Sequence, residues 1–435
     1  MADSQPPGWH PHLWHPFNQP GRGPAPLAVS RGQGIWLELE DGRRLIDGIS
    51  SWWVTLHGHG EPRVAAAIAA QALELEQVIF ANFRHRPAAL LAERLCALWP
   101  AGPNGEPGLN RLFFSDNGST AVEVALKIAW QHWQRLDPHR RQIIAFEGAY
   151  HGDTFGAMAV GARGLFSAPF EPLLFAVARA PWPSTWWADN SIERREAAAL
   201  AVLEQLLETP TAAVLLEPLL QGAGGMALVR PAFLGAVQER VRAAGALLIA
   251  DEVMTGFGRS GELFACRRAG LYPDLVALSK GLTGGFLPMG GTLATEELYQ
   301  GFVGPEAERT FFHGHSFTAN PLGCAAANAS LDLLEEFPQR YQQLESWHRP
   351  LLEGLVASQP LAQRPRLLGT VAAFELQGPS GYLQTIGLDL QRHCLAGGLF
   401  LRPLGSVVYL MPPLCISAAE LERSYELLAQ GLAAL

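Results

Sequence analysis

The chain has 435 residues and only two lysines, Lys127 and Lys280. Lysine and arginine together number 32, so 32 − 2 = 30 of these cations are arginine. The two side chains are not interchangeable. A guanidinium stays protonated, whereas a lysine amine in a site that disfavours its charge gives up its proton and can condense with a carbonyl. Lys127 falls inside the helical pattern AVEVALKIAWQHWQRL and reads as an ordinary helix cation. Lys280 follows the apolar run LVALS and lies 280 − 251 = 29 residues beyond Asp251, which closes the run ALLIAD. Other polar groups close apolar runs in the same way. Glu217 follows AAVLL, Asn117-Gly118-Ser119-Thr120 follows RLFFSD, and Tyr150-His151-Gly152-Asp153 follows IIAFEGA.

These runs belong to an alternation of strands and helices. Strands are expected at 111–116, 143–150, 173–180, 212–220, 246–253 and from 275, with helical segments between them. Such alternation indicates an α/β fold with a buried, mostly parallel sheet. Before it, residues 1–30 read as an irregular arm, 34–47 as two short strands around the Asp41-Gly42 turn, and 62–80 and 87–99 as amphipathic helices. After it, 321–360 reads as a long helix broken near Pro338, and the runs TVAAFEL, LFLRPL and VVYLMPP suggest a smaller α+β lobe. The expected division is a large domain over 56–330 and a small domain built from 1–55 and 331–435.

In an α/β sheet, ligands bind outside the carboxyl ends of the strands. One edge would therefore gather an acid, a lysine, an aromatic ring and a helix start. Pyridoxal 5'-phosphate (PLP) asks for this set. Its aldehyde needs an amine, and its pyridine nitrogen needs a carboxylate to keep it protonated. Its phosphate suits a helix N-terminus, and its ring suits an aromatic face.

Composition excludes other classes. The formal net charge is −9 with scattered basic residues, which argues against a nucleic-acid surface. No apolar run reaches the roughly 18 residues of a membrane span, and the N-terminus lacks the layout of a secretory signal. The five cysteines, Cys96, Cys266, Cys324, Cys394 and Cys415, are widely spaced and form no CxxC pair. Reduced thiols in a cytoplasmic protein are expected, without a metal site.

The run IADEVMTGFGRSGELFA, followed by SKGLTGG, resembles the signature of the class III aminotransferases. LWHPF (13–17), DGISSWWVTLHGH (47–59), FFSDNGSTAVEVALKIA (113–129), YHGDTFGAM (150–158), HGHSFTANPLGCAAANAS (313–330) and LRPLGSVVYLMPP (401–413) extend that resemblance over nearly the whole chain. It implies a fold type I PLP enzyme in which Lys280 holds the cofactor as a Schiff base and then moves the proton. Asp251 pairs with the pyridine nitrogen, Gly118 and Ser119 receive the phosphate, and Tyr150 stacks on the ring. Ser316 reaches the phosphate of a neighbouring subunit, which makes the active site a property of a homodimer. The Ser51-Trp52-Trp53 and Arg402-Pro403 segments point to a branch active in biotin synthesis, with S-adenosylmethionine as amine donor and 8-amino-7-oxononanoate as acceptor. There Arg402 takes the acceptor carboxylate, while Trp52, Tyr150, Gly314 and Phe17 line the substrate site. That branch usually carries tyrosine where this chain has Phe17, which leaves the donor open. Glu217, Asp153 and Arg259 stay open between site and structural roles. The alternatives are another ω-aminotransferase, fed by lysine, a diamine or an ω-amino acid, and a PLP-binding protein without turnover.

Overall fold

Seven strands form the central sheet of the computed structural model, which describes residues 8–10, 12–18, 25–378 and 385–435. Expectations for residues 1–7, 11 and 19–24 lie outside the described residues. In spatial order the strands are Leu109–Ser115, Gly290–Thr295, Leu275–Leu278, Leu247–Asp251, Thr211–Leu216, Gln142–Phe146 and Ala178–Ala180. Four of the six pairings are parallel, and Gly290–Thr295 runs antiparallel to both neighbours. The sheet is thus the mostly parallel α/β sheet expected.

The apolar runs are continuous because both faces of the sheet are covered. Along Thr211–Leu216, Val214 and Leu216 enter one apolar cluster while Ala213 and Leu215 enter another. Leu248 and Ala250 separate from Leu247 and Ile249 in the same way. Period-two alternation therefore sorts side chains between two buried faces rather than between core and water. The helix Gly118–Leu136 covers one face with Ala121, Val122, Ala125 and Ile128. Its start is fixed by a capping box, in which Asn117 accepts from the Thr120 N–H at 3.0 Å and the Thr120 hydroxyl accepts from the Asn117 N–H at 3.0 Å.

The chain ends form separate sheets. Val29–Gln33, Trp36–Leu39 and Arg44–Asp47 are joined by Leu399–Phe400, which runs parallel to Arg44–Asp47. Ala362–Leu368, Val371–Leu376 and Val407–Leu410 make an antiparallel sheet of three. The helical region from 321 is broken as expected, into Pro321–Glu336, Gln339–Gln342 and Leu344–Ser358. No helix among the described residues is long and apolar enough to cross a membrane.

Some boundaries differ from the expectation. The arm already contains a strand from Val29. The helix from Pro62 ends at Glu74 rather than near 80. The strand expected at 173–180 shrinks to Ala178–Ala180, because Pro169 and Pro172 place a 3₁₀ turn over Ala168–Leu173 and leave Leu173 exposed. The strand Gly290–Thr295 is an addition to those expected, since its two leading glycines interrupt the apolar run. Those glycines have a reason. A Cβ at Gly290 would collide with the carbonyl oxygen of Asn117, the cap of the long helix. Gly290→Ala is expected to destabilise the protein by about 1–3 kcal/mol in chemical denaturation. Unchanged stability would show that the Asn117 turn yields freely.

Candidate active site

The carboxyl ends of the parallel strands open onto one cavity of about 1260 Å³. Asn117, Gly118 and Ser119 line it from the helix start, Tyr150 and His151 from the loop after Phe146, and Asp251 and Lys280 from the strands between. Trp52, Trp53, Phe17 and Arg402 close it from the two chain ends. Lys280, Gly118, Ser119, Tyr150, Asp251, Trp52, Arg402 and Phe17 therefore meet in one space. Gly314 and Ser316 do not line it. Both are exposed, on the loop between Phe311 and Asn320, and the Ser316 carbonyl accepts from Gln77 Nε2 at 2.8 Å.

Lys280 follows Ser279 at the end of its strand and opens a 3₁₀ turn with φ of 46°. Its amine makes no hydrogen bond with any described residue and lies 5.1 Å from the centre of the Trp53 ring. Burial lowers its pKa below the usual 10.5, and the nearby carboxylates of Asp251 and Glu217 pull it partly back. Desolvation wins, so the amine is more readily neutral than an ordinary lysine.

Asp251 is 4% exposed and fully engaged. One oxygen lies 2.7 Å from His151 Nδ1, and the other accepts from the Val253 N–H at 3.0 Å. The second nitrogen of His151 is buried with no partner among the described residues. Sequence reasoning gives the YHGD motif its role through Tyr150 and misses His151, the residue that holds Asp251 in place. The only signal for His151 in the sequence is its adjacency to that aromatic.

Glu217 is structural and electrostatic at once. Its oxygens accept from the Tyr150 and Gly222 N–H groups, both at 3.0 Å, which fixes the loop carrying the aromatic ring. Burial raises its pKa to about 7, with the Asp251 charge adding to that rise against the pull of His151 and the two N–H bonds. Tyr150 donates to Asp153 at 2.9 Å, and burial together with that carboxylate raises its phenol. Asp153 also approaches the helix start, its N–H donating to Ser119 Oγ at 3.3 Å. Gly152, with φ of 126°, lies against Ser119, and any side chain there would strike that hydroxyl.

The side of the cavity lined by Trp52 and Arg402 is built from the small sheet. Arg44–Asp47 and Leu399–Phe400 are adjacent parallel strands, so the segments that leave them bring Trp52 and Arg402 together. The Arg402 guanidinium stacks 4.8 Å from the centre of the Trp52 ring and forms no ion pair with a described residue. Phe17 meets Trp52 edge-on at 5.5 Å and Phe166 at 5.7 Å. Trp53 is buried and donates to the Tyr409 hydroxyl at 2.9 Å. The turn that presents both tryptophans is strained. Ser50, Ser51 and Trp53 have φ of 53°, 62° and 68°, each costing about 1 kcal/mol or more in a residue other than glycine.

Arg259 lies outside the cavity. It is buried and donates to the carbonyls of Pro412 at 2.8 Å and Thr55 at 3.3 Å, and burial lowers its pKa to about 10. It ties loops together and contacts no substrate space. Lys127 donates to His313 Nδ1 at 2.9 Å, outside the cavity, as a surface cation of its helix.

The class III aminotransferase family matches residues 17–432. The chain belongs to that family. Among its relatives, adenosylmethionine-8-amino-7-oxononanoate aminotransferase of Synechococcus elongatus is 57% identical over 97% of this chain and 99% of its own length. The enzyme of that name from Geobacter sulfurreducens is 40% identical over 94% of this chain and 93% of its own. Among solved structures, the adenosylmethionine-8-amino-7-oxononanoate aminotransferase of Methanocaldococcus jannaschii superposes with a TM-score of 0.88 at 31% identity, covering 97% of both chains. A PLP-bound amine transaminase from an uncultivated Pseudomonas species superposes with a TM-score of 0.89 at 30% identity, covering 97% of this chain and 98% of its own.

The raised Glu217 carboxyl has a measurable consequence. Its folded pKa of about 7 lies above the usual 4.5, so the folded state holds this proton where the unfolded state has released it. The resulting contribution to stability falls as pH rises from about 4.5 to about 7 and is level above that. The full difference is about 3 kcal/mol. Glu217→Gln apoprotein should lose this term, so its melting temperature should gain on the wild type between pH 5 and 8. Parallel melting curves for the two proteins across that window would show that Glu217 titrates normally.

Proposed function

We propose that this aminotransferase carries out the amine transfer of biotin biosynthesis. It takes the amino group of S-adenosylmethionine and delivers it to 8-amino-7-oxononanoate, giving 7,8-diaminononanoate. The observation that carries this reading is Arg402, a guanidinium with no ion pair among the described residues, held on a tryptophan face in an apolar, aromatic-lined cavity. A bidentate guanidinium suits a terminal carboxylate, and the apolar walls suit the hydrocarbon chain between carboxylate and ketone. The 57% identical relative bears the name of this activity.

The cavity also fits PLP. The N–H groups of Gly118 and Ser119 stand at the open end of the long helix, where its dipole favours a phosphate. Asp251 is fixed by His151 and Val253 and would face the pyridine nitrogen. Tyr150, fixed through its backbone by Glu217, would cover the ring. When bound, PLP supplies the carbonyl that captures an amine and the electron sink that acidifies the adjacent C–H. The rest is work for side chains. Lys280, whose pKa burial lowers, would offer an Nζ that takes a proton from one carbon and returns it to another. Trp53 excludes water beside that nitrogen. Arg402 and Trp52 set how far the acceptor ketone reaches toward it.

In this reading the protein is a cytoplasmic homodimer with shared sites. Gly314 and Ser316 are exposed and absent from their own cavity, which suits a loop that completes the partner's site. The small domain comprises 1–55 and 331–435, and the PLP-binding domain 56–330.

Phe17 gives the donor its own test. The holoenzyme with S-adenosylmethionine and 8-amino-7-oxononanoate should yield 7,8-diaminononanoate by mass spectrometry, with parallel initial-velocity lines. Turnover only with lysine, diamines or ω-amino acids would overturn the donor assignment. Lys280→Ala should lose at least about a thousandfold in turnover. Arg402→Met should raise the acceptor KM by about 10- to 100-fold with a smaller change for the donor. An unchanged acceptor KM would remove Arg402 from substrate recognition.

A further inference from the structure

The strained turn that carries Trp52 is bound by a side chain outside the cavity, Asp47. Asp47 ends the strand Arg44–Asp47 and has no exposed surface. One of its oxygens accepts from the Ile49 N–H at 3.2 Å. The other accepts from the Ser51 N–H at 2.6 Å and the Ser51 hydroxyl at 3.1 Å, and lies 2.9 Å from His59 Nε2. Two of the left-handed residues, Ser50 and Ser51, lie within four positions of it. Ser50 is anchored separately, by its hydroxyl donating to the Met411 carbonyl at 2.7 Å. Asp47 also pairs with Phe400, two residues before Arg402, and the Gly48 N–H donates to the Phe400 carbonyl at 3.1 Å. The carboxylate therefore sits where the two segments of the substrate end leave their shared sheet.

We infer that Asp47 is a positioning residue for recognition of the substrate's carboxylate: it holds the Ser50–Trp53 turn in a conformation those residues avoid alone, so that the Trp52 ring backs the Arg402 guanidinium. The inference rests on the reading of Arg402 as the carboxylate clamp. Arg402 has no ion pair of its own among the described residues, so its orientation depends on the Trp52 face. A turn with left-handed serines relaxes when its anchor is lost, because nothing intrinsic to Ser50 or Ser51 favours it. Asp47 touches no substrate. Its effect should appear in discrimination for the carboxylate rather than in the chemical step.

The test compares binding of 8-amino-7-oxononanoate with that of its methyl ester, by calorimetry on the holoenzyme without donor. Wild type should prefer the acid by about tenfold or more, as expected for a charge-assisted pair. Asp47→Asn should reduce that preference to within about threefold, with both ligands converging rather than weakening in parallel. Should Asp47→Asn fail to fold, Ser51→Ala serves instead. Alanine, unlike glycine, does not relieve the positive φ, so the variant loses the hydroxyl bond to Asp47 and keeps the left-handed strain, and the preference should fall partway. A wild type that does not distinguish acid from ester would overturn the Arg402 reading. Full preference retained in folded Asp47→Asn, or in Ser51→Ala, would overturn the role given to Asp47 and leave Arg402 standing.

Discussion

An amine with a lowered pKa has to be kept in a cavity that also holds two carboxylates, and most of the architecture answers to that constraint. Each carboxylate tends to keep Lys280 protonated, while burial tends to strip the proton. The balance falls to burial because both carboxylates are engaged elsewhere. Asp251 is held by His151 and the Val253 N–H, and Glu217 by two backbone N–H groups, so neither hydrogen-bonds to the amine. A direct lysine–carboxylate bond here would favour the charged form of the amine. Keeping the groups near but not paired requires rigid supports, and the strand ends provide them.

The parallel sheet explains why that separation is stable. Asp251 and Lys280 come from neighbouring strands, paired in register from Ile249–Leu275 to Asp251–Ala277. Glu217 follows the next strand over. Their backbones cannot approach one another without breaking the ladder, which has apolar layers on both faces. The helix start at Gly118 is placed by the same sheet, through the strand Leu109–Ser115 that immediately precedes it. A cavity built on strand ends inherits the precision of the ladder, whereas the loops need fix only short distances.

Much of this is legible in the order of the residues alone. Long apolar runs with abrupt polar ends mark buried parallel strands, because only a doubly covered sheet tolerates them. Asp251, Lys280, Glu217 and Gly118 are visible as those ends. The features that stay hidden have common physical causes. Gly290–Thr295 hides behind two glycines whose reason is a neighbouring carbonyl, a tertiary fact. The short strand at Ala178 hides in a longer apolar run whose first half stays exposed. His151 matters through Asp251, a hundred residues away. Arg259 stands in a motif and so invites a role in the site, yet it serves distant backbone carbonyls. Local patterns report burial and turns well, but do not report which partner a polar group meets.

The two ends of the cavity are built by different means. The chemical end rests on a continuous sheet and on groups whose placement follows from strand register. The end read as the substrate end rests on a strained turn, a stacked guanidinium with no ion pair among the described residues, and three aromatic rings in edge-to-face contact. Stacking constrains the plane of Arg402 without consuming its hydrogen-bond donors, so the donors stay available to a ligand. An ion pair in the same position would hold the side chain as firmly but leave less for the substrate. Phe17 fits this logic. It adds an edge-on contact to Trp52 and brings no polar group of its own, so it shapes the aromatic wall without competing for Arg402. In the proposed reading, specificity at this end would come from holding beside aromatic surface a guanidinium that has no ion pair among the described residues, and the strain in the Ser50–Trp53 turn would be the cost of placing that surface there.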